Sequence, residues 1–293
     1  MAAERLLNES GMLAVAPDCS IFYQHRPAKG PVWLFLNGLS DDTSSWDPFI
    51  AKFEGLHTLQ VDLRGQGRSL TETQLNDPKK HLRFPFETNS YDLDKLLESL
   101  KLTAPINVVA NSFGGGVALD FASRWPERIS RIALIAPFVL RLDRAFPMQR
   151  ILGLQWGLAK SLGLVSAPMA QHFEKSYETF LSHYLNHRYE GRLNDPRLRT
   201  VAIELTYEIM KFDAFKILEL LPEHGVSMLT SEFDTLSPHS LYQEFWRRLP
   251  ESKRVKWTQL DKGEHLLLEE VPDLVLAWLR EVIHPKSEAH MHP

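Results

Sequence analysis

The stretch VVANSFGGGVAL, residues 108–119, constrains the fold more than any other part of the chain. Its run of valine and alanine reads as a buried strand, and the apolar spacing that resumes at Val117 reads as a helix. Between them stand a lone serine, Ser112, and three consecutive glycines. A chain that passes from strand to helix in so few residues needs small side chains on both sides of the turn, because larger ones would collide with the adjoining strand and helix. Ala110-Asn111-Ser112-Phe113-Gly114 meets that need, and Gly115 and Gly116 carry the close packing into the helix. Such a turn exposes the serine hydroxyl. Taken alone, the pattern fits a helix-capping serine as well as a displayed nucleophile.

The remaining chain supplies the sheet on which such a turn would sit. Short β-rich runs at 12–16, 21–25, 32–36, 58–62, 106–110, 132–136, 226–230 and 255–260 are candidate strands. The first two predict an antiparallel start; the later ones are mostly continuous in Val, Ile and Leu, as expected of strands covered on both faces. Between them lie helical patterns. In SYDLDKLLESL, Leu93, Leu96, Leu97 and Leu100 share one face, with Asn89 or Ser90 placed to cap its start. Val117, Phe121, Ala122 and Trp125 make a second such face, ended by Pro126. Helices are also expected over 240–248 and 273–283. Alternating strand and helix predicts parallel strands with right-handed crossovers. Residues 139–222 interrupt the rhythm with helical stripes and no convincing strand. The expected organisation is an α/β core domain over 1–138 and 223–293, carrying a helical cap insertion over 139–222.

Composition narrows the function classes. In 293 residues, 44% are hydrophobic, 24% are charged and the net charge is −4, which suits a globular domain and argues against a nucleic-acid surface. No run approaches the roughly 20 apolar residues of a membrane helix. MAAERLLNES lacks the basic start and long apolar run of a secretory leader. A single cysteine, Cys19, permits neither an internal disulfide nor a cysteine zinc site. These features predict a cytoplasmic protein without a metal or other cofactor. His284, His290 and His292 read as a frayed tail.

Four further segments accompany the serine turn. LFLNGLSDDTSSW follows the third candidate strand, LQVDLRGQGRSL spans the fourth, SEFDTLSP follows the seventh and DKGEHLLLEEVP follows the eighth. Together, and in this order, they resemble the α/β-hydrolase family over nearly the whole chain. The first is similar to its His-Gly oxyanion loop, with Asn37 in place of histidine. The second is similar to D-x-R-G-x-G-x-S. The third resembles the G-x-x-D-x-x-x-P acid loop, with Ser231 in place of glycine, and the fourth the G-x-H-x(3–4)-E-x-P histidine loop. Ala110 stands where G-x-S-x-G has its first glycine. The resemblance implies a mostly parallel eight-stranded sheet flanked by helices, with a helical cap.

It also implies a site. Ser112 would be the nucleophile, His265 its base and Asp234 the acid that orients the imidazole, in the chain order this fold uses. The backbone N–H groups of Phe113 and Leu39 would hold an oxyanion. Glu232 and Asp143 are the alternative acids, and His239 is set aside as the start of a helix. Asp62, Arg64, Gly65 and Gly67 read as a supporting turn, and Glu269 as a brace of the histidine loop.

A serine nucleophile favours acyl chemistry over the epoxide and haloalkane chemistry of the family's aspartate-based members. The expectation is hydrolysis of a small-molecule carboxylic ester, thioester or lactone through an acyl-enzyme, with a hydrophobic acyl group suggested by the apolar insertion. Acyl transfer by the same three residues and ligand binding without catalysis are the alternatives. Oligomeric state is left open.

Overall fold

The computed structural model describes residues 9–77, 84–139, 212–234, 237 and 239–285. Its strands are β1 (Glu9–Ala16), β2 (Cys19–Arg26), β3 (Trp33–Leu36), β4 (Thr58–Val61), β5 (Ile106–Asn111), β6 (Ile129–Ile135), β7 (Val226–Ser231) and β8 (Arg254–Leu260). The α-helices among the described residues are α1 (Asp47–Ile50), α2 (Glu72–Asn76), α3 (Phe86–Ser99), α4 (Phe113–Arg124), α5 (His239–Arg248), α6 (Leu267–Glu270) and α7 (Pro272–Ile283). The strands form one eight-stranded sheet in the order β1-β2-β4-β3-β5-β6-β7-β8. β1 and β2 pair antiparallel, as do β2 and β4, and every later pairing is parallel.

Burial explains the sequence pattern. β3, β4, β5 and β7 are buried at every position. Alternate residues of each central strand enter opposite cores. Leu34, Leu36, Val108, Ala110, Leu134 and Met228 face one, closed by Leu93, Leu96 and Leu97 of α3, Val117 and Phe121 of α4, and Phe245 of α5. Trp33, Phe35, Val109, Ile135 and Leu229 face the other, closed by Phe49 and Ile50 of α1 and by Val275, Trp278 and Leu279 of α7.

Each of the eight candidate runs forms a strand. β1 extends back to Glu9, where the ladder pairs it with His25. A half-exposed hairpin continues past its apolar residues because its backbone bonds do not need them. α3 starts earlier than its expected caps. Asn89 and Ser90 do not cap it; the helix begins at Phe86 after Pro85. Both side chains are buried in other service. Asn89 Oδ1 accepts the Arg64 N–H at 3.2 Å, and the Ser90 hydroxyl donates to Asp120 at 2.7 Å.

The cap expected over 139–222 falls largely on residues 140–211, outside the described residues. The returning segment makes two 3-10 turns, Ala214–Lys216 and Leu218–Leu220, and buries Ala214, Leu218 and Leu221 in the first core. Among the described residues no helix is long and apolar enough to cross a membrane.

Candidate active site

Parallel strands deliver their C-terminal ends to one edge of the sheet, the customary ligand-binding edge of open α/β folds. Ser112 follows β5, Asp234 follows β7, His265 follows β8 and the Asn37–Gly38–Leu39 loop follows β3.

Ser112 sits at φ 49° and ψ −114°, a conformation that costs an L-residue energy. Three backbone bonds hold it there. Its N–H donates to the Ile135 carbonyl at 3.0 Å, and its carbonyl accepts from Gly115 N–H at 2.9 Å and Phe138 N–H at 3.1 Å. The glycines make the approach possible. A β-carbon at position 114 would lie 2.6 Å from the Asn37 carbonyl oxygen and 2.8 Å from that of Leu36; one at 115 would lie 2.7 Å from Pro137. Ala110 is fully buried, and its methyl group is accommodated where the family motif has glycine.

The three side chains converge. The Ser112 hydroxyl is 2.9 Å from His265 Nε2, and His265 Nδ1 is 2.8 Å from Asp234 Oδ2. All three residues are buried, with relative exposures of 6%, 3% and 5% for Ser112, His265 and Asp234. Burial opposes the charge on Asp234. The facing His265, the Ser237 N–H at 2.8 Å and the Tyr242 hydroxyl at 2.7 Å outweigh it, so the carboxyl titrates below its ordinary range. The Phe138 ring lies tilted against the imidazole, 5.2 Å between centroids. Glu232 is exposed on the same loop, Asp143 lies outside the described residues, and His239 stacks on Trp257 at 5.6 Å.

The loop after β3 lies against the serine. A β-carbon on Gly38 would be 3.6 Å from Ser112 Cβ. The Asn37 carbonyl accepts the Gly114 N–H at 3.0 Å and so ties the loop to the start of α4. The Phe113 N–H, first in α4, makes no hydrogen bond among the described residues. Leu39 is half-buried on the loop itself.

The turn after β4 anchors that loop from behind. Asp62, wholly buried, accepts from Thr43 N–H at 2.7 Å and from Arg68 N–H and Nε at 2.9 and 2.8 Å. Gln66 accepts the Ser40 N–H at 2.5 Å, and Arg64 grips Asp92 through two bonds of 2.7 and 2.6 Å. Gly65 and Gly67 take the left-handed conformations of this turn, φ 80° and 52°.

Some contributors carried no sequence signal. Ser231, a departure from the family motif, donates to the Gly263 carbonyl at 2.5 Å and accepts from Phe233 N–H at 3.0 Å, clamping the acid loop to the histidine loop. Glu270, next to the singled-out Glu269, accepts the Glu264 N–H beside His265. Tyr242 sits on the apolar face of α5, where an aromatic residue reads as core.

The chain belongs to the alpha/beta hydrolase fold family, whose model matches residues 31–272. It is 30% identical over 142 residues to monoacylglycerol lipase ABHD6 of Homo sapiens, across 47% of this chain and 40% of that one. It is 24% identical over 152 residues to cis-3-alkyl-4-alkyloxetan-2-one decarboxylase of Xanthomonas campestris pv. campestris, across 50% and 51% of the two chains. The chain thus spans about half or less of the length of these curated relatives. Among solved structures, the α/β hydrolase MGS-M2 from a Medee basin deep-sea metagenome library superposes with a TM-score of 0.69 at 21% identity, covering 96% of this chain and 100% of that one.

Proposed function

We propose that the protein is a serine hydrolase that cleaves a carboxylic ester, thioester or lactone through an acyl-enzyme on Ser112. The observation that carries this reading is the line of hydrogen bonds from Ser112 Oγ through His265 to Asp234, 2.9 and 2.8 Å long, in a buried setting. A serine hydroxyl needs an adjacent base to attack at neutral pH, and an imidazole at hydrogen-bond distance is that base.

As Ser112 Oγ bonds to the substrate carbonyl carbon, His265 Nε2 takes the hydroxyl proton. The carbonyl oxygen becomes an oxyanion held by the N–H groups of Phe113 and Leu39, each donor contributing about 2.7–4 kcal/mol to transition-state stabilisation. Asp234 keeps the Nδ1–H tautomer and stabilises the imidazolium. Collapse of the tetrahedral species breaks the bond to the leaving oxygen or sulfur, which receives the proton from Nε2. Water then attacks the acyl group, with His265 again as base, and Ser112 is regenerated.

Apolar surroundings support a hydrophobic acyl group. The Phe138 ring flanks His265 at 5.2 Å between centroids. The lipase and the alkyl oxetanone decarboxylase are both named for compounds with an ester carbonyl beside alkyl chains.

The test is a p-nitrophenyl ester series of increasing acyl length. Wild type is expected to release a burst of nitrophenol and to favour longer chains over acetate. Ser112→Ala is expected to lose about 10³-fold or more in kcat. Full turnover by Ser112→Ala would refute the reading.

A further inference from the structure

Resting on that reading of Ser112, His265 and Asp234, we propose that Tyr242 is a positioning residue for the acid: its hydroxyl fixes the carboxylate oxygen that orients His265 and tempers the charge the imidazole meets. Tyr242 Oη donates to Asp234 Oδ2 at 2.7 Å, and the same oxygen lies 2.8 Å from His265 Nδ1. The Ser237 N–H occupies the other oxygen, Oδ1, at 2.8 Å. The carboxylate therefore cannot rotate about its Cβ–Cγ bond without breaking bonds on both oxygens. Tyr242 is completely buried, and α5 also buries Leu241 and Phe245. It is thus a donor on a packed helix, whereas Asp234 and His265 stand on loops.

A buried hydroxyl needs an acceptor, and a packed tyrosine often finds one in a backbone carbonyl. Here the acceptor is the catalytic side of the acid. Each donor to a carboxylate oxygen spreads its charge, so a carboxylate stripped of one donor attracts the imidazolium more strongly. Among the described residues, the titratable groups facing Asp234 include His265, from the loop after β8, and Tyr242, from α5, and the acid's own loop contributes the uncharged Ser237 N–H.

Tyr242→Phe removes the hydroxyl and retains the ring. In p-nitrophenyl ester turnover it is expected to lower kcat about tenfold with little change in KM, as befits one hydrogen bond to a charged group. The midpoint of the rising limb of kcat/KM against pH is expected to move up by roughly 0.5 pH unit. Phe245→Leu, which loosens the same helix without touching the carboxylate, is expected to lower Tm and leave the midpoint in place. 3-Fluorotyrosine at position 242, a stronger donor of nearly the same shape, is expected to move the midpoint down, and it decides the matter if Tyr242→Phe does not fold. A folded Tyr242→Phe with wild-type kcat and midpoint, or a midpoint shift matched by Phe245→Leu, overturns the proposal. Ser112→Ala in parallel separates the two levels. If it is inactive while Tyr242→Phe is unmoved, only the role of Tyr242 falls; if it is fully active, the triad reading falls and this inference with it.

Discussion

Ser112 is held in a conformation that side chains avoid, at φ 49° and ψ −114°, by bonds to Ile135, Gly115 and Phe138. The surrounding fold supplies the energy for that strain, so relieving it should stabilise the protein. Ser112→Gly is expected to exceed Ser112→Ala in unfolding free energy by about 1 kcal/mol, since glycine tolerates this region and alanine does not. Denaturant titration of the two variants measures the difference. Cys19 makes the opposite case, a reactive group type kept inert. Burial raises its thiol to about 11, with Asp92 and Asp18 adding to the effect and Arg64 opposing it. The native protein is expected to react with a disulfide reagent only as fast as it opens, and rapid labelling without denaturant would contradict this.

At the scale of elements, the end of β3 and the start of α4 meet closely beneath Ser112. Gly114→Ala would push a methyl group into the Asn37 and Leu36 carbonyl oxygens, both under 3 Å away. The expected cost is about 2–3 kcal/mol in thermal unfolding, with activity lost as the loop after β3 is displaced. The hairpin side of the sheet carries a pH-sensitive contact. His25 on β2 meets His57, just before β4, with Nε2 atoms 2.8 Å apart and rings stacked at 5.1 Å. Burial lowers the titration of both; for His25 its neighbour His57 adds to the effect, and for His57 the Gly30 and Ala28 carbonyls oppose it. The folded state therefore binds protons less readily than the unfolded chain. The pair's contribution is complete above about pH 6.5 and is lost as pH falls below it. His57→Asn is expected to flatten the dependence of unfolding free energy on pH between about 5 and 7; an unchanged slope would contradict the assignment.

At the scale of the molecule, one sheet serves two cores. Leu34 and Phe35 are adjacent in sequence, fully buried and on opposite faces. Leu34→Ala is expected to cost about 2–5 kcal/mol and Phe35→Ala about 3–5 kcal/mol. Both are expected to unfold in a single transition seen alike by fluorescence and circular dichroism, because each core is built on the same strands. Separate transitions for the two probes would show that the layers unfold independently.

That shared sheet also explains what the sequence could reveal. Strands buried on both faces favour apolar residues, so WLFL of β3 and VVA of β5 stand out in the chain, while the equally buried β4 and β7 also carry Thr58, Gln60, Ser227 and Thr230. The strained turn at Ser112 was legible because only small residues fit around it. Asp234 and His265 were legible through loop motifs, since their spacing from Ser112 along the chain carries no geometric information. Tyr242 and Ser231 were not legible: a tyrosine on an apolar helix face and a serine in a loop look the same whether or not their hydroxyls find a loop distant in sequence. Asn89 and Ser90 misled for a related reason. Capping is a local rule, and contacts with Arg64 and Asp120 from elsewhere in the chain prevailed.

The proposed chemistry requires that His265 makes Ser112 nucleophilic. The most direct measurement is peptide mass spectrometry of folded protein treated with a fluorophosphonate. The predicted result is a single adduct on the peptide containing Ser112, forming about 10²- to 10⁴-fold more slowly in His265→Ala. Folded wild-type protein that leaves Ser112 unmodified, or a His265→Ala variant labelled as fast as wild type, would contradict it.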